Sequence, residues 1–132
     1  MNESYRFTIS RNLKLYFDHV HDVFEITADV LIPNPPYTSS NFYAKIWEVG
    51  MEEAGLIVEL IRNSLEEPLP DNRLPTPDYG VFSIKKISDT VFRLNIYTSE
   101  NTFFWTHITS EQVNELLTIM QRTHDTLAKG QE

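Results

Sequence analysis

The chain has 132 residues, 41% of them hydrophobic and 12% aromatic, enough apolar surface for one folded domain to offset its ordering entropy. It contains no cysteine, which excludes disulfide scaffolds, thiolate metal sites and cysteine nucleophiles. The formal charge is −8 and is concentrated in residues 1–79, where 6 Lys/Arg stand against 13 Asp/Glu; that field repels phosphate, so duplex nucleic acid and anionic membranes are poor partners.

The first residues lack a basic start followed by an apolar stretch, and no apolar run reaches the roughly 18 residues of a membrane span. The expected location is cytoplasmic. From the start, Tyr5, Phe7 and Ile9 alternate with Arg6, Thr8 and Ser10, and Leu13, Leu15 and Phe17 alternate with Lys14, Tyr16 and Asp18. Residues 23–32 continue the period of two, with Phe24, Ile26, Ala28, Val30 and Ile32 on one side and Glu25, Thr27 and Asp29 on the other. Asn12 and the polar run 18–22 supply the turns.

Pro33-Asn34-Pro35-Pro36-Tyr37 is expected to end this sheet, because proline gives no ladder hydrogen bond. Ser39, Ser40 or Asn41 then caps a helix predicted over residues 42–65. At 100° per residue, Phe42, Ile46, Val49, Leu56, Ile57, Leu60 and Ile61 gather on one side, widened by Tyr43, Trp47, Ala54, Val58 and Leu65. The arc spans about 200°, against about 100° for a helix lying on a sheet. A strand over residues 42–49 fits less well, since strict alternation puts Glu48 with Phe42 and Ile46.

Residues 66–79 hold four prolines and read as an irregular surface connection. Strands follow at 81–87, 91–98 and 102–108, with turns at Ser88-Asp89-Thr90 and Ser99-Glu100-Asn101. Thr109 and Gln112 have the spacing of a capping box, and Val113, Leu116, Leu117, Met120 and Leu127 form the stripe of a final helix that fades at Ala128-Lys129-Gly130. The expected fold is α+β: one domain over residues 1–132, an antiparallel sheet of about six strands in the order βββα-βββα, and two amphipathic helices packed on one face.

Chemistry-bearing patterns are few. Four glycines, at 50, 55, 80 and 130, make no phosphate-cradling loop, and neither a nucleophile elbow nor a His-Glu-x-x-His motif is present. His19 and His21, flanked by Asp18 and Asp22, lack a third convergent ligand, so no metal site and no cofactor is expected. His124 lies on an apolar stripe and reads as a core histidine. Glu53 is the one charge inside the wide arc; a packing role at a strand end competes with a pocket carboxylate there.

Two surfaces stand out. The excess apolar arc of the 42–65 helix predicts a homodimer contact through Trp47, Val58 and Leu65, unless the rest of the chain covers it. If Phe92, Leu94, Ile96, Phe104 and Ile108 face the helices, the opposite sheet face presents Arg93, Tyr97, Phe103, Trp105 and His107 where antiparallel sheets are usually polar. Such a face suits a partner protein. Three function classes follow: a non-enzymatic protein-binding module of chaperone, inhibitor or adaptor type; a small-molecule binder or enzyme with Glu53 in a pocket; and a single-strand nucleic-acid platform, given Lys85, Lys86 and Arg93 beside the aromatics.

The stretch Ser40-Asn41-Phe42 after a proline-ended strand, then Tyr79-Gly80-Val81-Phe82 before a hairpin, then Ile108-Thr109-Ser110-Glu111 opening a last helix, resembles the chaperone-like α+β fold of bacterial type III secretion chaperones. The resemblance runs from Val23 onward and implies a small, acidic, homodimeric, non-enzymatic protein that binds a polypeptide along exposed apolar surfaces.

Overall fold

The computed structural model describes the backbone of residues 3–34, 38–66, 72–76, 80–98 and 103–130, and within these the side chains outside 30–47, 72–82 and 96–104. The three alternating segments at the start become β1 (Ser4–Ser10), β2 (Leu13–Val20) and β3 (Val23–Asn34). Their apolar sets point one way: Phe7, Ile9, Leu15, Phe17, Phe24, Ile26 and Ala28 are buried. Val20 pairs with Val23 around a two-residue loop, and His21 takes the left-handed conformation there, with φ 57°.

The next segment departs from expectation. Residues expected to open a helix form β4 (Thr38–Val49), and helix α1 runs only over Met51–Glu66. The register explains why strict alternation rejected this strand. Thr27 pairs with Lys45 but Ile26 pairs with Trp47, so Ile46 is an extra residue in a β-bulge. The bulge changes the phase. Val30 pairs with Phe42, and beyond the bulge Glu48 pairs with Glu25, out of phase with the buried Phe24 and Ile26. The helix left behind buries Ala54, Ile57, Val58, Ile61 and Ser64, a stripe of ordinary width. Leu56, assigned to the buried side by the longer helix, is 47% exposed.

Proline placement also needed tertiary context. β3 passes through Pro33, which pairs with Ser39, and β2 reaches β3 only as far as Val30. Pro33 thus lies where β3 has a free edge, and a missing N–H costs nothing there. The proline-rich connection holds β5 (Asn72–Thr76), again an edge strand, with Pro75 opposite Val81. β6 (Gly80–Lys86), β7 (Val91–Thr98), β8 (Phe103–Thr109) and α2 (Ser110–Gly130) follow as read. The 88–90 turn is closed by Ile87 N–H and Ser88 N–H, both donating to Val91 O at 2.9 and 3.0 Å.

Among the described residues the order is thus ββββα-ββββα, with two antiparallel meanders, β1-β2-β3-β4 and β5-β6-β7-β8, in place of one six-stranded sheet. The helices do not simply cover one face. They pack against each other; α1 also touches β5 and β6, and α2 touches β1, β7 and β8. One buried cluster draws on both sheets and both helices. Both helices start with a side chain folded back on the chain. In α1 the Glu53 carboxylate accepts from Gly50 N–H at 2.8 Å. In α2 the box is reciprocal: Thr109 N–H donates to Gln112 Oε1 at 2.9 Å and Gln112 N–H to Thr109 Oγ1 at 3.1 Å.

Candidate functional site

The second sheet's outer face is built by register. Phe92, Leu94 and Ile108 are buried, so the alternate positions of β7 and β8 face away from the core. Across the strands, Lys85 pairs with Arg93 and Arg93 with His107; Ser83 pairs with Asn95 and Asn95 with Trp105; Val81 pairs with Tyr97 and Tyr97 with Phe103. The five positions expected on one face, Arg93, Tyr97, Phe103, Trp105 and His107, therefore share it. The side chains of Tyr97 and Phe103 lie outside the described residues.

Trp105 is the centre of this face. It is 47% exposed although it is the largest side-chain type available to a core. The Arg93 guanidinium carbon sits 4.3 Å from its ring centroid, a cation–π contact. The His107 ring meets it edge-on, with centroids 5.3 Å apart and planes at 61°. Arg93 Nε is buried without a hydrogen-bond partner among the described residues. Beneath, Asn95 Nδ2 donates to Ser83 Oγ at 3.0 Å, and Ser83 is only 1% exposed. Polar groups thus floor the face, and an indole and a guanidinium cap it.

Lys85 and Arg93 stand directly opposite one another, a like-charge pair that is unfavourable unless an anion lies near, and His107 continues the row. Sequence reading missed one strand of this sheet: Arg73, in a segment taken as irregular, pairs with Ser83 of the Asn95–Trp105 row, and its side chain lies outside the described residues. The alternation Asn72-Arg73-Leu74 was the available signal, masked by its proline neighbours.

The other assigned residues do not come together. Trp47 belongs to β4, opposite buried Ile26, and its side chain is outside the described residues. Val58 is buried in the single chain at 5% exposure, and Leu65 packs partly buried against the core. The helix face that united them dissolves with the shorter α1. Glu53 spends its carboxylate on the cap of α1, and a Cβ on Gly50 would lie 2.7 Å from that oxygen. Gly50 thus admits a carboxylate, not a neighbouring backbone. His19 stacks on Phe24 at 5.0 Å, His21 forms a turn, and His124 lies against Gly55 of α1. Among the described residues no three His, Asp or Glu side chains converge to hold a metal ion, and no helix is long and apolar enough to cross a membrane.

Comparison with known protein families, with curated proteins and with solved structures finds no match.

Proposed function

We propose that the protein is a non-enzymatic protein-binding module whose contact face is the outer side of β6, β7 and β8, and that it takes an acidic polypeptide segment there. The observation behind this reading is the half-exposed Trp105 held between Arg93 and His107. Trp and Arg are among the residues that most often dominate binding energy, Trp through a large rigid contact area and Arg through its planar set of donors. The cross-strand pair Lys85–Arg93, on a chain of charge −8, favours a carboxylate-bearing partner at this face. The chaperone-like family resemblance points to the same kind of activity, a folded surface that holds another polypeptide.

A random copolymer of Glu and Tyr is a suitable probe, with polylysine and a single-stranded DNA oligonucleotide as controls. Trp105→Ala is expected to weaken copolymer binding by at least tenfold, about 1.4 kcal/mol, with the far-UV spectrum and unfolding transition unchanged. Preference for the oligonucleotide, with affinity falling steeply as salt rises, replaces this reading with a nucleic-acid one. No binding to either removes the face as a contact site.

A further inference from the structure

A second surface lies where the two halves meet, between β1 and α2. Helix α2 runs beside this edge and is pinned to it at two places. At one end Gln112 Nε2 donates to Ile9 O at 2.8 Å. At the other, Thr126 Oγ1 donates to Glu3 Oε2 at 3.1 Å, and Tyr5 Oη donates to the same oxygen. Fourteen residues of helix, about 21 Å, separate Gln112 from Thr126. Between the pins the two elements stand apart, leaving an open groove of about 420 Å³ lined by Ser4, Tyr5, Arg6, Glu115, Thr118, Ile119 and Arg122.

On the strand side of that groove, the outer backbone edge of β1 pairs with no other strand among the described residues. Among the described residues β1 has one strand neighbour, β2. His19 N–H donates to Glu3 O at 2.9 Å, so the peptide groups of Glu3 are turned towards β2. Alternation along an antiparallel strand then turns the N–H and C=O of Ser4 and Arg6 the other way, into the groove. Edge groups of this kind are normally covered or blunted, because any extended chain can pair with them.

The groove also carries charge. Arg6 and Arg122 are exposed, one on each wall, and neither forms an ion pair among the described residues. Glu115 lies on the helix wall and the Glu3 carboxylate, bound by Tyr5 and Thr126, closes one end, so the positive charge of the groove is localised at Arg6 and Arg122. Ile119, 7% exposed, and half-buried Tyr5 give it an apolar base. A small anion would use the arginines but not the peptide groups of Ser4 and Arg6. Another backbone uses both.

We infer that this groove binds an extended acidic peptide, which adds as a further strand to β1 and places a carboxylate side chain between Arg6 and Arg122. Main-chain hydrogen bonds to Ser4 and Arg6 provide affinity, and the two arginines set the preference for acidic sequence. This site is separate from the Trp105 face and stands or falls independently of it.

The test uses the full chain and an eight-residue peptide alternating Glu and Val. Amide hydrogen exchange is expected to slow at Ser4 and Arg6 when the peptide is added, with Phe7, already paired to β2, unchanged. N-methylating alternate peptide nitrogens removes the donors and is expected to lower affinity at least tenfold without altering peptide charge. Arg6→Glu with Arg122→Glu is expected to do the same, whereas Trp105→Ala leaves this binding intact. Equal affinity for the N-methylated peptide, or protection that maps to β7 and β8 instead, overturns the inference. Protection of Ser4 and Arg6 that rises with protein concentration alone assigns the edge to a second copy of the chain and also overturns it.

Discussion

Gln112 is the residue on which most connections meet. Its Oε1 completes the cap of α2, and its Nε2 holds the carbonyl of Ile9 on the first sheet. Thr109→Ala removes only the cap and is expected to cost about 1 kcal/mol. Gln112→Ala removes the cap and the link to Ile9 together, and is expected to cost about 2 kcal/mol; denaturant titration of the two variants measures the difference. At the opposite end of α2, hydrogen bonds from Tyr5 and then Thr126 hold the Glu3 carboxyl below the ordinary carboxylate range. A depressed folded-state pKa stabilises the fold above the unfolded value of about 4.3, and that contribution is lost as pH falls through the folded value. Tyr5→Phe is expected to raise the Glu3 pKa towards the ordinary range, read by NMR titration of its carboxyl carbon. The sequence marked Thr109 and Gln112 as a box because the two lie three apart; it gave no sign of Ile9, which is 103 residues away from Gln112.

At the scale of elements, the most instructive segment is 38–49. Its residues are apolar enough for a buried helix, and one inserted residue broke the alternation that would have marked a strand. A bulge is a property of two paired strands, so a single strand's sequence cannot display it. Backbone chemical shifts over this segment are expected to be those of extended chain, with helical shifts beginning only at Met51. α1 itself carries Gly55 in its interior, where a Cβ would sit 3.5 Å from the His124 ring, an ordinary contact. Gly55→Ala is therefore expected to stabilise the protein by about 0.5–1 kcal/mol, through helix propensity alone, as an increase in the unfolding midpoint. The same residue shows how closely α1 and α2 approach.

For the whole molecule, the two ββββα halves share one buried cluster and a helix–helix contact, so neither half owns a complete core. Thermal unfolding is expected to be one cooperative transition by both near-UV and far-UV dichroism. Phe24, fully buried in the first half, provides the check: Phe24→Ala is expected to cost about 3–5 kcal/mol and to lower the transition of both halves together. Two separate transitions would mean that the halves are independent. The two candidate surfaces share no residue, one on the outer face of β6–β8 and one between β1 and α2, so each can be disabled without the other.

The amino-acid sequence by itself determined whatever depends on local period and local chemistry: β1, β2, most of β3, β6 to β8, the final helix with its box, and the shared face of Arg93, Trp105 and His107. Tertiary structure decided the rest. Whether a proline sits at a free edge, whether an extra residue is a bulge, and whether an apolar segment is strand or helix all depend on which neighbour the backbone hydrogen-bonds to, and pairing partners many residues apart leave no local trace. The groove beside β1 belongs to that second class, since its walls come from β1 and α2, more than a hundred residues apart in the chain.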